Sequence, residues 1–253
     1  MSSRNSERVS CAARAARARE LADREPAVAD LLRFYAALAE YQQQLAVALT
    51  GAVDAESMGR AARELTRWLV ALKPDAAVCE ATAEEWRDLF EAYRADPDEA
   101  IDRVKEGALF VLEAVLQAAA EHVPRPARSP AAVSQQRCPD CGGLPVVGVL
   151  REEGHGARRR LVCGLCVTEW DYLRVVCVKC GEQRFDALPV FTAEQFPHAR
   201  IEACDTCRHY LKTIDATKDG RVVPLVDDLA TSALDLWARE QGYTRMRANL
   251  LRV

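Results

Sequence analysis

The chain has 253 residues, of which 49% are apolar and 28% charged, with a formal net charge of −4. That is the make-up of a globular protein long enough for one or two domains with a sizeable core. The acidic balance argues against a broad nucleic-acid footprint, and no apolar run approaches the ~18 residues of a membrane span.

The opening run "MSSRNSERVSCAARAARARELAD" is rich in Arg and Ser, as organelle transit peptides are. Glu20, Asp23 and Glu25 soon join it, and it has no apolar core of the secretory kind. It reads as a solvated first helix with its Ala and Leu turned inward. "PAVADLLRFYAALAEYQQQLAVALTG" puts Val28, Leu31, Leu32, Tyr35, Leu38, Leu45 and Leu49 on one stripe, with Gly51 as C-cap. "RAARELTRWLVALKP" repeats the pattern through Leu65, Trp68, Leu69 and Leu72, and Pro74 stops it. "TAEEWRDLFEAYRA" opens with a capping box, Thr82 with Glu85, ahead of Trp86, Leu89, Phe90 and Tyr93. A further helix opens at Asp96, Pro97 and Glu99 and runs to about residue 122. These helices suffice for a bundle-like domain over residues 1–123.

Residues 124–137, "PRPARSPAAVSQQR", hold three prolines and no periodicity, the composition of a linker. Beyond it the pattern shortens. "LPVVGVL", "RRLVC" and "DYLRVVC" read as strands, and "REEGHGARR" as a hairpin tip. "VPLVDDLATSALDLWAREQGY" then returns to helical spacing through Val226, Leu229, Ala233, Leu234 and Trp237, closed by Gly242. Asp227 and Asp228, near the start of this helix, read as partners of its dipole.

Eight of the ten cysteines form four Cys-x-x-Cys pairs: Cys138/Cys141, Cys163/Cys166, Cys177/Cys180 and Cys204/Cys207. Cys11 and Cys79 read as small apolar residues. In a reducing compartment, pairs at this spacing are metal ligands or redox motifs. A thioredoxin-like site uses one such pair at a helix start, whereas here four pairs sit among strands. Glycine after the second Cys, as in "CPDCGG" and "CVKCGE", lets the backbone turn under a metal. Between Cys141 and Cys163 lie 21 residues and between Cys180 and Cys204 lie 23, each room for a hairpin out and back. The first two pairs are therefore expected to form one four-cysteine site, over residues 138–176. The last two form another, over 177–215, with a C-terminal helix and tail over 216–253. Interleaved pairing of first with third and second with fourth remains open on spacing alone. So does an iron–sulfur cluster, though two-site ribbon spacing favours mononuclear centres. Four thiolates suit iron or zinc, and a site filled by protein leaves no position for substrate.

Residues 137–210 hold ten Lys or Arg against ten Asp or Glu. Eight thiolates on two divalent ions would make this segment negative, which disfavours nucleic acid as partner. Its one basic cluster, Arg158–Arg160, reads as a solvated turn. His122, His155, His198 and His209 join no catalytic pattern. His209 lies two residues past Cys207, in reach of a supporting role, and Trp170 reads as packing. Phosphate loops, HExxH and nucleophile elbows are missing from the sequence, so no catalytic residue is named and the chain is not expected to be an enzyme.

The runs "CPDCGGLPVV", "LVCGLCVTEWDYLRVVCVKC", "CDTCRHYLK" and "LVDDLATSALDLWAREQGY" resemble the formate dehydrogenase accessory protein family, FdhE type. The likeness spans 138–243 and reaches more weakly to "PAVADLLRFYAALAEYQQ". It implies an α+β chain: a helical domain, two rubredoxin-like modules and a C-terminal helix. It implies metal ligands at all eight paired cysteines, holding two ions of iron or zinc, with iron the family's preference. It also implies a cytoplasmic chaperone that binds the catalytic, molybdenum–pterin subunit of a formate dehydrogenase and supports its maturation before export. The alternatives are a redox protein passing electrons to that client from two iron centres, or a zinc ribbon that binds nucleic acid. Homodimerisation is left open. Arg208 departs from the pattern, standing where a ribbon knuckle commonly has glycine.

Overall fold

The computed structural model describes residues 9–49, 54–73, 81–95, 106–120 and 136–253. Gly51, Pro74, Cys79, Asp96, Pro97, Glu99, His122 and nearly all of the expected linker lie outside the described residues. No described helix is long and apolar enough to cross a membrane. The chain divides into two compact units, residues 38–125 and residues 1–37 together with 126–253. The expected helical domain over 1–123 is thus divided, its first 37 residues belonging with the cysteine-rich half.

In the first unit, the second half of α2 (Ala29–Ala48) is followed by α3 (Ala55–Leu72), α4 (Ala83–Ala95) and α5 (Glu106–Ala120). The Asp54 carboxylate caps α3 by accepting from the Ser57 amide at 2.8 Å. The Thr82–Glu85 capping box forms in both directions, at 2.7 and 3.2 Å. Leu65, Leu69, Trp86, Phe90, Leu112 and Val115 build the core. Leu72, expected on the apolar stripe, sits at the end of α3 and is 51% exposed.

The second unit is built on a seven-stranded sheet: β1 (Pro145–Glu153), β2 (Gly156–Cys163), β3 (Glu169–Asp171), β4 (Val190–Thr192), β5 (Ala199–Cys204), β6 (His209–Asp215) and β7 (Thr244–Arg245). The path is β3-β2-β1-β6-β5-β4, with β7 added to β6. Within it lies an internal repeat. A cysteine knuckle leads into β1, β2, a second knuckle and β3, and the same order recurs as a knuckle, β4, β5, a knuckle and β6. Each copy is an antiparallel three-strand meander. The copies join side by side through parallel pairing of β1 with β6, Gly148 opposite Thr213. A side chain at Gly148 would strike the buried Thr213 hydroxyl, so this seam requires glycine. The two expected modules are therefore halves of one sheet.

Two expected elements differ. "DYLRVVC" is strand only at its first residue, Asp171, the last of β3. Beyond it the Arg159 guanidinium takes the Leu173 carbonyl at 2.9 Å and stacks over the Tyr172 ring, turning the chain away and leaving Leu173 and Val175 exposed. The C-terminal helix is two helices, α6 (Pro224–Ala230) and α7 (Ala233–Glu240). The break has a cause in the core. The ammonium of Lys212, fully buried, donates to the carbonyls of Asp228 and Thr231 at 2.7 and 3.1 Å. Those carbonyls are then drawn away from continuing the helical ladder.

Asp227 and Asp228 are accordingly far more than dipole partners. Asp227 accepts from two of the three guanidinium nitrogens of Arg17, from α1 (Cys11–Ala22), at 2.6 and 3.1 Å. Asp228 faces Lys212 at 3.2 Å and Arg245 at 2.6 Å, while Asp235 pairs with the same two cations and accepts the Tyr210 hydroxyl. Burial alone would raise the Asp228 pKa, but Arg245 and Lys212 outweigh it and hold this carboxyl below the ordinary range. Removing one member leaves the others charged and dry, so Lys212→Ala should lower unfolding free energy by about 3–5 kcal/mol in urea titrations. Because Asp228 is depressed, its stabilisation is present above the unfolded carboxylate pKa of about 3.9 and is lost as pH falls below it. Acid unfolding of Asp228→Asn should lack that component.

Candidate metal centres

Each knuckle has the same local construction. The residue after its second cysteine takes the left-handed conformation: Gly142 at φ 75°, Val167 at 57°, Gly181 at 77° and Arg208 at 57°. In three of them that residue's amide closes the turn on the first cysteine's carbonyl, at 2.8 to 3.0 Å. Glycine adopts this backbone at no steric cost, whereas a β-branched residue does so under strain. Arg208 keeps the geometry its identity put in doubt. Its guanidinium lies 3.9 Å over the Tyr243 ring and donates to Asp205 and to the Gln241 carbonyl. Gly143 serves space rather than angle, since a Cβ there would sit 3.1 Å from Cys163 Sγ and 3.3 Å from Cys141 Sγ.

The sheet brings the knuckles together in pairs. Cys138, Cys141, Cys163 and Cys166 converge at one point, and Cys177, Cys180, Cys204 and Cys207 at another, each set with its four sulfurs within 4.8 Å. In the first, Cys138–Cys166 and Cys141–Cys163 are 3.4 Å apart. In the second, Cys177–Cys207 and Cys180–Cys204 are 3.7 Å apart. Tetrahedral ligands at about 2.3 Å define edges of about 3.8 Å, so both sets fit one soft metal ion. The two places differ in cover: the first has three buried cysteines and Cys141 exposed, whereas the second has only Cys204 buried, with Cys177 and Cys207 half-buried and Cys180 exposed.

Without a cation such a cluster is electrostatically frustrated. The Cys166 thiol is held well below its ordinary pKa because Cys138, Cys141 and Cys163 donate to it, while burial first, then its neighbours, drives Cys163 well above. One thiolate forms at the others' expense. A divalent ion removes the conflict and draws off the remaining protons.

Each set carries a cross-brace that the cysteine spacing gave no hint of. In the first, the Thr168 hydroxyl donates to Asp140 at 2.8 Å and lies 3.3 Å from Cys166 Sγ, tying knuckle to knuckle. In the second, the Thr206 hydroxyl donates to Glu182 at 2.7 Å. Amide donation from Arg184, then the Thr206 hydroxyl, brings the Glu182 carboxyl down to about 2. The only sequence sign was a hydroxyl or carboxyl inside or beside each knuckle, as in "CPDC", "CVTE", "CGE" and "CDTC".

The other candidates settle elsewhere. His155 is exposed at the β1–β2 turn, and His198 lies 3.6 Å from Asp227. His209 Nδ1 lies 2.7 Å from the Cys207 carbonyl oxygen, and Trp170 is buried in β3. Cys11 is buried on α1, where Arg14 donates to its sulfur. The Arg158–Arg160 cluster is consumed by ion pairs. Arg158 and Arg160 bind Asp171, and Arg159, buried, binds Glu202 of the other repeat. Burial would raise the Glu202 pKa, but Arg159 and Arg200 hold it down.

Changing Cys138 and Cys141 together to Ser should release about one of two bound ions in elemental analysis and lower Tm. Thr206→Ala should leave the ion count intact yet weaken the second site by about 10–100-fold in a chelator competition. As pH falls, protons compete for the thiolates, so both ions should leave on acidification, the exposed site first.

Family models described as "FdhE, central domain" and "FdhE, C-terminal domain" match residues 137–174 and 175–252. The FdhE homologue of Cronobacter sakazakii is 30% identical over 93% of this chain and 85% of its own length. That of Aquifex aeolicus is 40% identical over 45% of this chain, the match spanning 41% of its length. The crystal structure of the FdhE protein from Pseudomonas aeruginosa superposes with a TM-score of 0.69 at 29% identity, over 98% of this chain and 97% of that one. With its knuckles, its paired four-cysteine clusters and these likenesses, the chain belongs to the FdhE family of formate dehydrogenase accessory proteins.

Proposed function

We propose that this protein is a cytoplasmic assembly factor that binds the catalytic subunit of a formate dehydrogenase and supports its maturation before export. The eight paired cysteines hold two ions of iron or zinc. The observation that carries this reading is closure: each four-sulfur set supplies a full tetrahedron from the protein alone. Such a centre stabilises a surface and has no position for substrate, which suits a binding protein and argues against an enzyme. When bound, the metal supplies folding energy and fixes the knuckles. The residues around it do the rest: Thr168 with Asp140, and Thr206 with Glu182, lock each knuckle against its partner.

A redox role for two iron centres draws on the exposure of one cysteine in each set, Cys141 and Cys180, which would bring an electron close to the surface. Nucleic-acid binding is disfavoured further by the ion-paired state of Arg158, Arg159 and Arg160.

An affinity pull-down of the tagged chain from its own cells without oxygen, read by mass spectrometry, is the direct test. Recovery of a formate dehydrogenase catalytic subunit is expected. Its absence, with other partners captured instead, would overturn the assignment. Loss of the subunit on changing Cys177 and Cys180 to Ser would tie binding to the intact second centre.

A further inference from the structure

We propose that the outer edge of β4 is a strand-addition site for an extended polypeptide segment that alternates acidic and apolar side chains. The reading stands independently of which protein supplies the segment.

The internal repeat carries the argument. β4 occupies in the second copy the place that β1 occupies in the first. The outer edge of β1 is filled, because β6 pairs there in parallel from Gly148 to Leu150. The matching edge of β4 is open: among the described residues β4 pairs with β5 alone. The fold thus already shows this edge taking a strand, once within the chain and once not.

The backbone is presented for the purpose. The Ala203 amide donates to the Pro189 carbonyl at 3.0 Å, and the β4–β5 register pairs Val190 with Glu202 and Phe191 with Ile201. In an antiparallel ladder hydrogen-bonded pairs alternate. Phe191 therefore spends its amide and carbonyl on β5, while those of Val190 and Thr192 point outward. Both residues are exposed, Val190 at 53%.

A cavity flanks this edge on each face of the sheet. Val190 shares a face with Glu202 and Arg200, and there a cavity of about 220 Å³ opens between Phe185, Val175 and Arg200. Phe185, at its mouth, is 82% exposed. Phe191 points to the other face, where one of about 630 Å³ is lined by Phe196, Leu234 and Trp237. An added strand sends alternate side chains to alternate faces, so one set of its residues would enter each.

Charge selects the occupant. The smaller cavity is lined by four cations, Arg174 and Lys179 beside Arg159 and Arg200, the last two sharing the one carboxylate of Glu202. That excess outlasts the two negative charges that four thiolates leave on a divalent ion in the adjoining centre. The larger cavity has no charged lining residue. Acidic residues on one face and apolar ones on the other follow. A second copy of this chain fits less well, since a three-residue edge offers little of the ~1,200 Å² that a stable interface needs.

The test is fluorescence anisotropy with the full, metal-loaded chain. The probe is a fluorescein-labelled octapeptide of alternating Glu and Val or Leu, flanked by Gly. Saturable binding is expected. It should weaken by about tenfold or more when the peptide backbone is N-methylated, when Lys replaces its Glu residues, and in Thr192→Pro, which removes one outward amide and spares the β5 ladder. Thr192→Ala should bind as the unchanged chain does. No saturable binding up to about 1 mM, a millimolar Kd being the weakest worth counting, would overturn the proposal. So would equal binding of the N-methylated or Lys-substituted peptide, a readout that needs no variant to fold. Sedimentation that shows self-association abolished by Thr192→Pro would assign the edge to a second copy and also overturn it.

Discussion

Four thiolates can meet at a point only if a cation sits among them. That constraint shapes the cysteine-rich half of this protein. The sulfurs of each set lie 3.4 to 3.7 Å apart along their closest contacts, a spacing at which bare thiols must share protons unevenly. Four backbone reversals hold them there, two of them at residues other than glycine. The strain at Val167 and Arg208 is offset by what surrounds them: Val167 lies in the sheet core, and Arg208 is clamped on Tyr243. A metal ion held there would make binding and folding one process.

The sheet makes two such sites from one plan. A knuckle, two strands, a knuckle and a third strand occur twice, and the copies share a parallel seam at Gly148 and Thr213. Arg159 of the first copy reaches Glu202 of the second, so an ion pair as well as the ladder ties them. Duplication leaves a consequence at its end. Among the described residues no strand follows on β4 as β6 follows on β1, and its edge keeps the backbone groups that the first copy satisfies internally.

A second organising element is charge without water. Lys212, Asp228, Asp235 and Arg245 form a buried cluster that joins β6, the two C-terminal helices and β7, while Arg17 brings α1 to Asp227. Apolar residues could fill the same volume at similar stability. What the ions add is position: Lys212 takes the Asp228 and Thr231 carbonyls at the break that sets α6 and α7 apart.

Much of this was written in local pattern. Helical stripes, the Thr82–Glu85 capping box, the hairpin at Gly154 and the four cysteine pairs follow from spacing and from residue chemistry, which act over a few residues. The grouping of cysteines by loop length agrees with the sulfur sets that the structure brings together, because a hairpin of about twenty residues returns its ends to one place. Other features depend on partners far along the chain. Asp227 and Asp228 look like helix-start acids until Arg17 and Arg245 arrive from over 200 and 17 residues away. Thr206 and Glu182 look like surface residues until two knuckles face each other. The first helix looks like part of a bundle until Arg17 finds Asp227 on α6. Sequence determined which cysteines are paired and most of the segments that are helix or strand, since those depend on near neighbours. Tertiary structure alone decided the shared sheet, the broken helix and the open edge, since each is set by a contact whose partners no local periodicity can name.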